Sequence, residues 1–292
     1  MIFHWFGSLI LISNIWSSSA HLTVSYLGRT IAEADRSDFS IPLPGFPVLN
    51  MERYRNFIKI LDEQTYQPPK NAVINGQGTI VPGQNGSKLY QQAFTRQFYE
   101  FFFSGRDVHL ETPMISIYPK VDSELLSNIR TKRIGHYVTY FKASNKNRSH
   151  NISLAANALN NYVVFPGEIF SFNKAVGMRT ESKGYLKAPV IVKGEFSEGI
   201  GGGICQVSST LFNAADIAGL DIVQRYSHSR AVPYVPKGRD ATVSWYGPDF
   251  QFANTLNQAV LIRANVLGEM LVVNIFSSDS INAGSAHKDI NR

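Results

Sequence analysis

One thiol, a glycine-rich loop and a downstream histidine hold most of the chemistry this sequence offers. Cys205 lies in Gly199-Ile-Gly-Gly-Gly-Ile-Cys-Gln-Val-Ser-Ser-Thr-Leu-Phe-Asn-Ala214 and is the only cysteine in 292 residues. Ile204, Val207, Leu211, Ala214, Ala215 and Ala218 recur at helical spacing, and Gly219 stands where a helix ends. The pattern predicts a helix running from about Cys205 to Gly219. The glycines before it permit a backbone that residues with a Cβ avoid. A thiol in the first helical turn faces unpaired N–H groups that carry partial positive charge, which favours thiolate over thiol. Those amides, with those of Gly202 and Gly203, are candidate donors to a developing oxyanion, and the Gln206 side chain is a further candidate donor. Ser209, four residues on, shares the face of Cys205 and is a candidate substrate contact. The bland alternative is a small thiol simply packed at a tight junction.

A nucleophilic thiol needs a base, and histidine is the usual one. Of seven histidines, His4 and His21 lie in or beside the N-terminal apolar segment and His287 near the C-terminal end. His109, His136, His150 and His228 remain. His228 follows a strand-like run and is 23 residues downstream of Cys205, so one short crossover brings it to the start of the helix. It is the preferred partner, with His150 and His136 as alternatives. In Gly238-Arg-Asp-Ala-Thr-Val243, Asp240 is a candidate to orient the imidazole and Arg239 to pair with a substrate carboxylate. The competing reading is a surface turn with a solvated ion pair. No Lys follows the glycines, so the loop does not fit a phosphate-binding pattern. No His-x-x-x-His or His-Glu-x-x-His occurs, so no metal site and no cofactor are expected.

These residues need elements to hold them. Hydrophobic residues make up 44% and aromatics 12%, enough for a sizeable core and against wholesale disorder. The single cysteine excludes a disulfide scaffold. The formal charge of +6 suits an anionic wall or membrane surface, while no basic run or RNA-binding signature points to nucleic acid. Residues 1–20 form an uncharged apolar run ending in Ser-Ser-Ser-Ala, read as a signal peptide or N-terminal anchor. Residues 40–50 carry three prolines and read as extended, and residues 21–46 are assigned to a linker. Residues 47–120 read as a small α+β domain, with helices at Met51–Asp62 and Lys88–Phe103, short strands around an Asn-Gly turn at 71–81, and a strand broken at Pro113. Residues 121–278 read as a second domain. It has a strand at 134–141, a helix at 152–162 capped by Asn151 or Ser149, and strands at 190–192, 222–226, 241–245, 250–252, 260–264 and 270–276. Residues 279–292 read as a loose tail. The fold class is α+β, and the oligomeric state is left open.

The stretches Asn147–Ile152, Phe165–Asn173, Gly199–Ala214, His228-Ser229, Tyr234–Pro236 and Gly238–Val243 together resemble the VanW family, over roughly residues 122–276. Residues 47–120 more weakly resemble the peptidoglycan-binding-like domain that often precedes VanW domains. The resemblance implies an extracytoplasmic cell-wall protein acting on peptidoglycan stem peptides, as an L,D-transpeptidase with Cys205 as nucleophile. A non-catalytic wall-binding or accessory protein, and a peptidase with water as acceptor, stay open beside it. Nothing structured is expected after Phe276, so the C-terminal wall-binding module of some relatives is not expected here.

Overall fold

The computed structural model describes residues 20–43, 47–192 and 195–282. The segment on which the export expectation rests, residues 1–19, lies outside them, as do most of the C-terminal residues. The architecture is α+β, and the chain divides into two compact units. The first comprises residues up to Lys70 with Gln84–Pro119. The second comprises Asn71–Gly83 and Lys120 onward.

In the first unit, β1 (His21–Tyr26) pairs antiparallel with β2 (Arg29–Asp35) and parallel with β3 (Val108–Glu111). The linker expected over residues 21–46 is therefore corrected. Alternation within β1 turns Leu22 and Val24 into the core, and the prolines that suggested a linker come only after both strands. Helix α1 (Met51–Thr65) starts where the Asn50 side chain accepts from the backbone N–H groups of Glu52 and Arg53. It buries Tyr54, Ile58, Leu61 and Thr65. Helix α2 (Gln91–Ser104) buries Phe94, Phe98, Phe101 and Phe102 and ends at Gly105, whose φ of 64° is left-handed. It begins three residues later than its sequence suggests, because Gly86–Leu89 is a strand paired with Met114–Ile117. Phe98 sits at the centre of the ring cluster, edge-on to Phe39 at 4.9 Å and to Phe101 at 5.7 Å.

The second unit is built on an antiparallel sheet in the order β4 (Lys132–Tyr140), β9 (Met270–Ser277), β8 (Val260–Leu267), β5 (Tyr162–Val164). Helices α3 (Lys146–Leu159) and α4 (Ile204–Ile217) pack on it, and both contribute to its main apolar core. At Gly135 of β4 a Cβ would lie 2.2 Å from the Ala214 carbonyl oxygen, so glycine is what lets α4 press against the strand. The short pair Val73–Ile74 and Ile80–Val81 belongs here, although the sequence places it with the N-terminal domain. Ala72 and Ile74 are buried with Val121, Leu126, Ile129, Val163, Ala259 and Leu261, and Asn161 both donates to and accepts from the Ile74 backbone.

Three local expectations are also corrected. Helix α3 starts at Lys146, capped by Asn145, whose side chain accepts from the Arg148 N–H at 3.1 Å. Ser149 and Asn151 lie inside the helix, and Asn151 is occupied elsewhere. Residues 241–245 form no strand, because Thr242 N–H donates to Tyr226 and Ser244 N–H to Pro248 without a continuous ladder. Within the expected tail, Ile281 packs into the core; residues 283–292 lie outside the described part.

Candidate active site

The glycine loop enters α4 from a hairpin of β6 (Lys187–Val192) and β7 (Glu195–Ile200). Two of its glycines have left-handed φ, 84° at Gly201 and 105° at Gly203. The loop is clamped by Asn151, whose amide donates to the carbonyls of Leu186 at 2.9 Å and Gly202 at 3.0 Å while its oxygen accepts from Leu186 N–H at 2.8 Å. A fully buried asparagine using three of its four hydrogen-bonding capacities fixes the loop without relying on hydrophobic packing. Gly203 is the N-cap, so Cys205 is the second residue of α4.

Cys205 is half-buried on a cavity of about 940 Å³. Its Sγ lies 3.8 Å from Thr242 Oγ1 and 3.6 Å from the Val243 carbonyl oxygen. The His228 ring lies close enough to the Cys205 side chain for each to shift the other's ionisation. His228 Nδ1 donates to Asp240 Oδ2 at 2.6 Å, and the His228 backbone N–H donates to the same oxygen at 2.6 Å. With Nδ1 so engaged, Nε2 is the nitrogen left for the thiol. Only 7% of the His228 side chain and 8% of the Asp240 side chain are exposed, so the pair works in a poorly screened setting.

The electrostatics follow. Burial alone pushes the Cys205 thiol up, but the His228 ring and its charge outweigh it and hold the thiol below its ordinary value. Burial would lower the His228 imidazole, yet its contacts with Cys205 and Asp240 raise it. Burial also opposes charge on Asp240, and the backbone and ring hydrogen bonds from His228 prevail and hold its carboxyl low. All three shifts favour thiolate, imidazolium and carboxylate in a row. Such a row can attack a carbonyl carbon through sulfur and move a proton through the ring.

The remaining residues singled out in the sequence are placed otherwise. Gln206 is not a spare donor: its amide donates to Thr139 Oγ1 and the Tyr140 carbonyl, both at 3.0 Å, and its oxygen accepts from Arg148 at 2.6 Å. Its backbone N–H already bonds the Gly203 carbonyl. Gly203 lines the cavity, whereas Gly202 is packed on the backbone of Ala188 and Pro189, which a Cβ would meet at 2.6–2.7 Å. Ser209 is fully buried; it donates to the Cys205 carbonyl at 2.7 Å and accepts from Ala241 N–H at 2.9 Å, so it braces the site from behind. Arg239 is turned away from the cavity, paired with Asp216 at 2.8 Å and donating to Asn213 at 2.6 Å. Of the alternative bases, His136 pairs with Asn274, His150 with the Gly184 carbonyl and His109 with Ser25; none lines the cavity.

Sequence reasoning missed Arg148, Arg179 and Tyr234, which line the cavity with Cys205. Burial raises the Tyr234 phenol strongly and keeps it protonated. No local spacing marks these residues. Arg148 and Tyr234 stand within stretches that carry the family resemblance, but Arg179 stands in none.

A thiol–imidazole–carboxylate row on a glycine-braced helix start, carried by this α+β fold, is the setting in which the comparisons with known proteins fall. Residues 147–276 match the family model described as VanW like protein, and the chain belongs to the VanW-like family. It is 62% identical over 262 residues to the Uncharacterized protein YoaR of Bacillus subtilis, covering 90% of this chain and 86% of that one. It is 30% identical over 139 residues to the Vancomycin B-type resistance protein VanW of Enterococcus faecalis, covering 45% of this chain and 50% of that one. No solved structure matches the chain. Among the described residues no helix is long and apolar enough to cross a membrane.

Proposed function

We propose that this protein works outside the cytoplasm on the cell wall, as a cysteine acyltransferase of the L,D-transpeptidase type acting on peptidoglycan stem peptides. The observation that carries the reading is the Cys205–His228–Asp240 row at the wall of a peptide-sized cavity. Family membership and the resistance protein among the relatives support the coarser part, a wall-related role. The uncharged apolar run at residues 1–20 supports export, and the net charge of +6 suits an anionic wall or the adjoining membrane surface.

The chemistry balances as two acyl transfers. Thiolate Cys205 attacks a stem-peptide carbonyl, the S–C bond forms, and the C–N bond to the terminal residue breaks. Imidazolium His228 gives its proton to the departing amine. An amine on a neighbouring stem then attacks the thioester, His228 takes its proton, and thiolate is released as the new amide forms. Asp240 holds the ring in the tautomer that points Nε2 at sulfur.

The test is muropeptide analysis of cells expressing wild type or Cys205→Ser, with the same comparison on purified protein and tetrapeptide-bearing wall. Wild type should add cross-links and release the terminal residue, and Cys205→Ser should do neither. Release without cross-links assigns water as the acceptor and a peptidase. Identical products from Cys205→Ser refute thiol catalysis and leave an accessory wall protein.

A further inference from the structure

Two half-buried arginines share the cavity with Cys205, and neither touches a carboxylate among the described residues. They flank the glycine loop. A Cβ on Gly201 would meet Arg179 Cβ at 3.1 Å, and a Cβ on Gly203 would meet Arg148 Cγ at 3.0 Å. The two stems therefore lie beside the glycines four and two residues before the thiol. Arg148 donates to the neutral Gln206 oxygen at 2.6 Å. Arg179 donates to Asn173 Oδ1 at 2.8 Å and the Gly177 carbonyl at 3.3 Å, with its guanidinium over the Phe172 ring. Each guanidinium has five N–H donors, so most are uncommitted among the described residues.

The charge balance of the cavity points the same way. Among the described residues its lining carries Lys142, Arg148 and Arg179 against a single carboxylate, Glu269, which accepts from the Ala143 N–H at 2.8 Å. Asp249 is the other acid that feels Arg179, but Oδ1 accepts from the N–H groups of Asn173 and Phe250, and Oδ2 from Ser171 and Gln251. Both arginines interact electrostatically with Cys205, and burial works against the charge of each. Half-buried cations that face an open cavity, with a Cys205 thiolate shared between them and His228, are costly unless a ligand brings further negative charge.

We propose that Arg148 and Arg179 form a carboxylate-binding subsite beside Cys205, and that it takes the free terminal carboxylate of the residue expelled from the acyl donor. In a peptide that carboxyl carbon is the next carbonyl position after the scissile one, so a cation close to sulfur is where it falls. The subsite then limits attack to the last peptide bond of a chain. Arginine suits the task because its planar fork matches a carboxylate bidentately. The substrate assignment rests on the acyl-transfer reading above; the anion site does not.

Two measurements keep those apart. The first is alkylation of Cys205 by iodoacetate and by iodoacetamide, which differ in one carboxylate. The wild-type rate ratio of acid to amide should exceed that of glutathione by about tenfold or more, the scale of one charge-assisted hydrogen bond. Arg148→Gln and Arg179→Gln should each lower the ratio, with iodoacetamide as the internal reference for thiolate supply. A wild-type ratio equal to glutathione's overturns the subsite without needing any variant to fold, and says nothing against thiol catalysis. The second measurement compares stem tetrapeptides ending in a free acid or an amide. The acid should release its last residue at least about tenfold faster, on that same scale. Equal rates overturn the assignment to the expelled residue.

Discussion

Replacing Asp240 by asparagine preserves shape and removes charge, which isolates what the carboxylate does for the thiol. The residue accepts two hydrogen bonds from His228 through one oxygen, both at 2.6 Å, with little solvent to screen them. A hydrogen bond to a charged group contributes about 1.5–3 kcal/mol. Losing the charged acceptor shifts the equilibrium from thiolate–imidazolium toward thiol–imidazole by that amount, about 10- to 100-fold, since about 1.36 kcal/mol is one pKa unit. The assay is the pH profile of Cys205 alkylation by iodoacetamide. Wild type should reach its plateau below the ordinary thiol range, because the thiol is held low by His228. Asp240→Asn should move the midpoint upward by about 1–2 units, by the same conversion. His228→Ala should move it further, since burial is then opposed only by the Val243 and Thr242 contacts. Circular dichroism on the same samples shows whether each variant is folded. A folded Asp240→Asn protein whose thiol titrates where the wild type does would refute the orienting role.

Other outcomes follow from the same contacts. The lowered folded-state pKa of Asp240 means that its contribution to stability is complete above the ordinary carboxylate value near 3.9 and disappears as pH falls through the folded value. The difference in thermal midpoint between wild type and Asp240→Asn should therefore shrink in acid, and a constant difference from pH 7 to 2 would contradict it. Gly135→Ala should cost about 1–3 kcal/mol or more in urea unfolding, because its Cβ would lie 2.2 Å from the Ala214 carbonyl oxygen. Gly203→Ala should cost about 1–3 kcal/mol and slow alkylation of Cys205, since a φ of 105° strains alanine at the cap of α4. Asn151→Leu should slow that alkylation too by releasing the glycine loop; unchanged thiol reactivity in a folded Asn151→Leu protein would show that the clamp is dispensable.

Local patterns made some of this site readable in advance. The helix after the glycine loop could be seen because its apolar stripe and both glycine boundaries lie within twenty residues. His228 could be favoured because it trails a short strand and so lands near the next helix start. The role expected of Ser209 rests on helical spacing and those of Gln206 and Arg239 on side-chain chemistry, and neither tells which donors the core has already taken. Ser209 shares a face with Cys205, but that face is turned into the Ala241 backbone. Arg148 and Arg179 come from a helix and a loop brought together only by tertiary folding, so no window of sequence contains their relation to sulfur. β1 was missed for a different reason: its alternation was present in His21–Tyr26, but the prolines further on outweighed it.

The excursion of residues 71–83 bears on how the chain is made. These residues emerge before the second half of the first unit, yet their partners Asn161, Ala259 and Leu261 are synthesised much later. The first unit in turn waits for Val108–Glu111 to lie beside β1. Neither unit is a contiguous stretch: the first can close during synthesis only with residues 71–83 looped out, and the second cannot close without them. A fragment cut at residue 120 would leave Asn161 without the Ile74 backbone and expose Leu126 and Leu261 to water. A segment of thirteen residues thus stitches the folding of one unit into that of the other, and any excised catalytic fragment has to carry it along.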